Sequence, residues 1–158
     1  MNLLINMNKL VIRDLKKEDI EAIENIYALY WPDQKFRERL SSRLKDGSVA
    51  CLVAENNGEV VGVSGFRKAP EHMIEFTKTN NPAELYILAV KDRQQGIGKA
   101  LVEKALKDIK NLNYTEVVLY SGETHQDSWS FYDHLNFERV APSTAPNGEL
   151  GQIWRILV

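Results

Sequence analysis

The chain has 158 residues, 44% of them hydrophobic and 27% charged, which predicts one globular domain able to bury about 70% of its unfolded surface. A net charge of −2 and a pI near 5.9 give no electrostatic reason to expect nucleic acid or an anionic membrane as partner. One cysteine, Cys51, excludes an internal disulfide and fits a reducing, cytoplasmic setting.

No run approaches the roughly 20 apolar residues of a membrane span. Residues 1–8 lack a basic segment and a long apolar core, so they read as a disordered preface rather than a secretion signal, with Met7 as an alternative start. From Lys9 to Asp14 apolar and polar residues alternate, predicting a first strand. Ile20, Ile23, Ile26, Tyr27 and Tyr30 recur at helical spacing and predict a helix over 17–30, its first turn favoured by Glu18 and Asp19. Pro32 ends it, because the residue before a proline avoids helical angles. A second helix, over 33–45, has only Phe36, Leu40 and Leu44 as its apolar stripe and is expected at the surface.

Residues 48–55 and 59–68 read as strands joined by a hairpin at Asn56-Asn57-Gly58. Gly62 and Gly65 mark a bulge or a close backbone approach in the second of them. Residues 69–82 read as an irregular polar loop; His72 has no second His or Cys at ligand spacing, so no metal is expected. An apolar run at 83–90 has strand length, and the helix after Gly98 puts Leu101, Val102, Ala105, Leu106 and Ile109 on one face. Residues 115–120 form a strand. Thr124-His125-Gln126-Asp127 matches a capping box and predicts a helix to about Leu135, closed by Asn136 in left-handed geometry. Phe137 begins another strand, residues 142–148 a turn-rich loop, and residues 150–158 the last strand. This order predicts a mixed α/β (α+β) domain over 9–158, with about seven mostly antiparallel strands, about four flanking helices and one parallel connection through a helix.

The segment Arg93-Gln94-Gln95-Gly96-Ile97-Gly98-Lys99 joins the fourth strand to the third helix. A strand feeding glycines that open a helix is the build of a phosphate site, since glycine lets backbone approach a ligand and the helix start offers unpaired N–H groups. A Walker A loop is excluded: Gly98-Lys99 supplies its last glycine and lysine, but Arg93 stands at the first glycine and Ala100 at the hydroxyl. A dinucleotide fingerprint is excluded by Leu101 at its third glycine. Arg93-x-x-Gly96-x-Gly98 instead resembles the [QR]-x-x-G-x-[GA] signature of the GNAT family of acetyl-coenzyme A-dependent N-acetyltransferases, and the element order over 9–158 is similar to that family's fold.

The resemblance implies transfer of an acetyl group from acetyl-CoA to a primary amine of a small molecule or peptide, by direct attack in a ternary complex. It assigns Arg93, Gln94, Gln95, Gly96, Ile97, Gly98 and Lys99 to the cofactor's pyrophosphate, and Leu88, Ala89 and Val90 to its pantetheine arm, with the Leu88 N–H as oxyanion donor. Phe131-Tyr132 resembles the family's F-Y pair, whose tyrosine protonates the leaving thiolate; a phenol with a pKa of about 10 keeps that proton at neutral pH. His125 stands where the family often has asparagine against the pantetheine arm, and it joins Ser128 in the cofactor set. Glu84 is the base candidate for the acceptor ammonium, with Glu75 and His72 as alternatives; an ordinary surface carboxylate is its competing reading. Tyr30 and Trp31 are candidates for the acceptor wall. The alternative function is a non-catalytic coenzyme A-binding sensor or regulatory domain. Neither nucleic acid nor a membrane is an expected partner, and a homodimer is left open. Residues 27–37 and 69–82 carry mixed charge and favour no one amine class.

Overall fold

The computed structural model describes residues 9–93 and 95–158; the preface at 1–8 and Gln94, assigned above to the cofactor, lie outside the described residues. Strand β1 (Leu10–Asp14) leads through a 3₁₀ turn at Lys17–Asp19 into helices α1 (Ile20–Ala28) and α2 (Gln34–Asp46). Strands β2 (Ala50–Asn56) and β3 (Glu59–Lys68) follow, then a 3₁₀ turn at Glu71–Phe76, β4 (Pro82–Val90) and α3 (Ile97–Asn111). After β5 (Glu116–Gly122) come a 3₁₀ turn at Glu123–Ser128, α4 (Trp129–His134), β6 (Glu138–Thr144) and β7 (Leu150–Leu157). The strands form one seven-stranded sheet in the order β1-β2-β3-β4-β5-β7-β6. Its β4–β5 ladder is parallel, and the β1–β2, β2–β3, β5–β7 and β6–β7 ladders are antiparallel, the mixed sheet expected. Among the described residues no helix is long and apolar enough to cross a membrane.

The chain divides into two compact units, one of residues up to Phe66 with Ile87–Ala105, the other of Arg67–Tyr86 with Leu106–Val158. In the first, the hairpin turns through Asn57 at φ 52° and Gly58 at φ 79°, left-handed values that match the twist of the flanking strands. Ala54 pairs with Gly62 while Glu55 pairs with Val60, so Val61 is an extra residue and β3 bulges there. The Val61 carbonyl accepts a hydrogen bond from the Lys91 N–H at 2.8 Å. A Cβ on Gly62 would lie 3.0 Å from Leu101 Cδ1, 3.1 Å from Ile97 Cγ2 and 3.3 Å from the Ala89 carbonyl, so the start of α3 rests on β3 backbone. Both alternatives read for that glycine are therefore present. Helix α1 buries Ile20, Ile23, Ile26 and Tyr27, and α2 buries Leu40 and Leu44, each large side chain contributing about 1.5–3 kcal/mol. Asp33 caps α2 by accepting from Lys35 N at 3.0 Å, and Gly47 closes it at φ 74°.

The second unit corrects three expectations. Residues 69–82 are not an irregular loop: Glu71–Phe76 is a 3₁₀ turn that buries Met73 against Ala69, Val118 and Ile153, with Phe76 packed beside them. In a 3₁₀ turn side chains three apart share a side, so Met73 and Phe76 form a stripe too short for a helical pattern. The capping box at Thr124 does not form either. Its hydroxyl donates to Glu149 Oε1 at 2.5 Å, the chain breaks at His125 (φ −117°, ψ 33°), and α4 starts only at Trp129. Finally, Pro142 lies within β6, paired with Gln152, because β6 is an edge strand whose outer side needs no N–H. Asn136 adopts the expected left-handed geometry, at φ 69°.

One side chain organises the start of β5. Glu116 is fully buried, and its carboxylate accepts from Lys78 N at 2.9 Å to each oxygen. Its Oε1 also accepts from Thr79 N at 2.8 Å and Thr79 Oγ1 at 2.9 Å, anchoring the segment before β4.

Candidate functional site

In the first unit the site residues follow the end of β4. The β4–β5 ladder runs Pro82↔Glu116, Ala83↔Val117 and Glu84↔Val118 and stops there, while Leu88, Ala89 and Val90 continue as strand. Ile87 and Ala89 are buried, and Leu88 and Val90 half-buried. Tyr30 is tied to this strand end: its hydroxyl donates to the Val90 carbonyl at 2.6 Å. Trp31 sits against Tyr30 with ring centroids 5.7 Å apart and stacks on buried Tyr27 at 4.7 Å.

The chain then turns through exposed Lys91, Asp92 and Arg93 and half-buried Gln95 to Gly96 at φ 81°. A side chain is disfavoured at that angle, which is why glycine stands there. Ile97 is buried and opens α3 two residues before the expected start after Gly98, and the first helical bond runs from Ala100 N to the Gly96 carbonyl at 3.1 Å. The N–H groups of Ile97, Gly98 and Lys99 thus belong to the first turn, where no helical acceptor exists and the dipole is positive. Lys99 pairs outward with Glu103 at 3.9 Å, both exposed. A polar groove of 520 Å³ between α1 and α2, lined by Glu24, Gln34, Arg37, Glu38, Ser41, Ser42 and Lys45, contains none of the expected site residues.

The second unit holds Glu84, His125, Ser128 and Tyr132. Glu84 is 5% exposed, and its Oε1 accepts from Arg67 Nε at 2.7 Å. It is therefore no surface carboxylate, because β4 lies inside the sheet with β3 and β5 as neighbours. The Arg67 guanidinium lies 4.0 Å over the Tyr86 ring. Glu75 and His72, the alternative bases, are exposed on the 3₁₀ turn at Glu71–Phe76. His125 is at the break before α4, and Ser128 immediately precedes that helix.

Tyr132 projects from α4 into an aromatic cluster. Its ring centroid is 5.3 Å from Phe131, 6.1 Å from Phe137 and 5.3 Å from Trp154. The neighbouring Asp133 accepts from Arg139 Nη2 at 2.8 Å, Arg139 Nε at 3.0 Å and Trp154 Nε1 at 3.0 Å. The Arg139 guanidinium, and then the indole N–H, hold the Asp133 carboxyl below the usual carboxylate range. This clamp fixes the helix that carries Tyr132.

Two other titratable groups are poor reagents. Burial pushes the Cys51 thiol up to about 12, so it is a small apolar core residue and no thiolate nucleophile. Burial, with Glu149 and Glu123 nearby, raises the Tyr120 phenol to about 12, and its hydroxyl donates to the Glu149 carbonyl at 2.8 Å. Among the described residues no group of three or more His, Cys, Asp or Glu side chains is placed to hold a metal ion. Sequence reading missed Arg67 and Glu116; the signal for Arg67 was a cation on the strand preceding the one that carries Glu84.

Residues 18–137 match the model of the acetyltransferase (GNAT) family. N-acetyltransferase 8 of Rattus norvegicus is 31% identical over 104 residues, 65% of this chain and 45% of that protein. The chain thus spans less than half the length of the curated relatives it matches. Among solved structures, Arabidopsis thaliana NAA60 in complex with acetyl-CoA aligns with a TM-score of 0.77 at 15% identity, covering 94% of this chain and 98% of that one. Ard1 from Thermoplasma volcanium aligns with a TM-score of 0.75 at 20% identity, covering 95% and 98%. At such identities the two structures show a common fold, and the family model, matching most of the sequence, shows the rest: the chain belongs to the acetyltransferase (GNAT) family.

Proposed function

We propose that this chain is an acetyl-CoA-dependent N-acetyltransferase that acts on a primary amine by direct attack within a ternary complex. The observation that carries the reading is the end of β4: its ladder to β5 stops at Glu84, Leu88–Val90 run on as strand, and Gly96 at φ 81° opens α3. These features fit acetyl-CoA. The N–H groups of Ile97, Gly98 and Lys99, with the turn from Arg93 to Gly96, hold the diphosphate, and the helix dipole adds favourable charge. Leu88, Ala89 and Val90 receive the pantetheine arm as an added strand would be received, with the Val90 carbonyl already engaged by Tyr30.

When bound, acetyl-CoA supplies a thioester carbonyl open to attack by an amine. The Leu88 N–H stabilises the negative charge that develops on the carbonyl oxygen. A phenol, with an ordinary pKa of about 10, can donate its proton, and Tyr132 delivers one to the departing sulfur. Glu84 takes the proton of the acceptor ammonium, directly or through water, and Tyr30 and Trp31 contribute to the acceptor wall. His125 and Ser128 complete the cofactor set. Residues 9–158 act as one catalytic domain in a cytoplasmic setting, a reading that the free, buried thiol of Cys51 supports. The kinship with N-acetyltransferase 8 and with a fold solved around acetyl-CoA supports the same reaction.

Thiol release from acetyl-CoA, followed across a panel of primary amines, tests the proposal. Turnover is expected on at least one amine, and Tyr132→Phe is expected to lower kcat about 10²–10⁴-fold with little change in the KM for acetyl-CoA. Tight acetyl-CoA binding with no turnover on any amine would point to the sensor reading instead. An unimpaired Tyr132→Phe enzyme would remove Tyr132 from the acid role.

A further inference from the structure

Arg67 is held in a way that a simple structural ion pair does not require. Its Nε donates to Glu84 Oε1 at 2.7 Å, and its guanidinium carbon lies over the Tyr86 ring, 4.0 Å from the centroid. Those two contacts fix the plane and the direction of the fork. Neither Nη1 nor Nη2 has a partner among the described residues, and neither is a buried atom left unsatisfied, so both reach solvent. The Arg67 side chain is 22% exposed, against 7% for Glu84. An arginine locked through Nε and an aromatic face, with its Nη edge open, is preorganised to receive a planar anion through two parallel hydrogen bonds.

The anion's chemistry follows from the neighbour. Glu84 Oε1 and the Arg67 fork are adjacent points of opposite charge, and Glu84 Oε2 lies outside their pair. A ligand that meets both must carry a cation and an anion side by side. An α-amino acid does so, with its ammonium and carboxylate on one carbon.

We propose that Arg67 is a specificity-determining residue that binds the carboxylate of the acceptor, and that the acceptor class is α-amino acids and derivatives with a free α-carboxylate. This rests on the N-acetyltransferase reading and on Glu84 as the group that meets the acceptor amine. Arg67 draws the carboxylate onto its Nη edge while the amine lies toward Glu84. Loss of two charge-assisted hydrogen bonds then separates a free amino acid from its carboxamide by about 10- to 100-fold in kcat/KM. The carboxamide has the more readily deprotonated amine, so intrinsic reactivity biases the comparison against the proposal.

The test compares the standard L-α-amino acids with their α-carboxamides on the full chain with acetyl-CoA, in wild type and Arg67→Lys. Lysine keeps a cation for Glu84 but lacks the fork. The acid-to-amide ratio of kcat/KM for the preferred pair is expected to exceed ten in wild type and to fall at least tenfold in Arg67→Lys. A wild-type ratio at or below one across the panel overturns the proposal without recourse to any variant. So does a ratio unchanged by Arg67→Lys.

Calorimetric binding of the same pairs to the coenzyme A-loaded protein separates this proposal from the reading beneath it. Acid-selective, Arg67-dependent binding without turnover would keep the Arg67 assignment and remove the transferase. Turnover without acid selectivity would do the reverse. Neither turnover nor selective binding removes both.

Discussion

Glu116 offers a test of how the segment before β4 is held. Its buried carboxylate satisfies the N–H groups of Lys78 and Thr79 and the Thr79 hydroxyl, at 2.8–2.9 Å. Glu116→Ala strands all three donors; hydrogen bonds to a charged group are worth about 1.5–3 kcal/mol each, and partial rehydration brings the expected loss to about 3–5 kcal/mol. At about 2–4 °C per kcal/mol for a chain of this length, the Tm falls by roughly 6–20 °C. Glu116→Gln is the informative control. Its carbonyl can occupy the Oε1 position and keep all three donors, leaving its amide group facing Lys78 N, for a cost of about 1–2 kcal/mol. Urea unfolding with an unchanged m-value measures both losses, and amide exchange should accelerate at Lys78 and Thr79 in the alanine variant. An alanine variant within 1 kcal/mol of wild type would make the carboxylate a passenger, and a glutamine variant as damaged as alanine would show that one oxygen cannot hold the three donors; either result would refute the reasoning.

Gly62→Ala places a Cβ 3.0–3.3 Å from Leu101, Ile97 and the Ala89 carbonyl; the two side-chain ends can yield, but the carbonyl cannot. Overpacking is expected to cost about 1–3 kcal/mol and, by displacing Ile97 at the start of α3, to weaken acetyl-CoA binding several-fold in calorimetry. Wild-type stability and affinity together would contradict it. Asp19 gives a pH signature: the Arg13 guanidinium, bonded at 2.7 and 2.9 Å, holds its carboxyl below the usual range against the cost of burial. A lowered folded-state pKa means that this stabilisation is complete above the unfolded value of about 4 and is lost as pH falls through the folded one. Urea melts at descending pH should show the gap between wild type and Asp19→Asn constant above about pH 5 and closing below about pH 4. A gap that stays constant to pH 2 would show that the pair contributes nothing through charge.

What the sequence disclosed about this chain divides along a physical line. Features made by backbone announce themselves through residue types that backbone geometry demands. Asn57-Gly58 predicted a hairpin, which turns at φ 52° and 79°, Asn136 predicted left-handed geometry, and Gly96 predicted the turn into α3. The seven-stranded mixed sheet followed from alternation and helical spacing, because those periods are fixed by the same backbone. Features made by pairs of side chains distant in sequence left no such mark. Thr124 with Asp127 has the form of a capping box, yet Glu149, 25 residues away, takes the threonine hydroxyl. Glu116 drew no reading inside the strand expected over 115–120, and only the path of Lys78 and Thr79 makes it a buried anchor. Arg67 and Glu84 are 17 residues apart, and their meeting depends on the neighbouring of β3 and β4, which no local pattern encodes. The same line runs through the proposed chemistry. In that proposal the cofactor is gripped mainly by backbone N–H groups, so its turn is legible in the glycines at 96 and 98. Acceptor choice, as proposed, rests on side-chain pairs such as Arg67 with Glu84, which substitutions can change without disturbing the turn. On that proposal acceptor choice can change while the cofactor grip stays constant, and that is why the acid-to-amide ratio interrogates this chain more sharply than acetyl-CoA binding does.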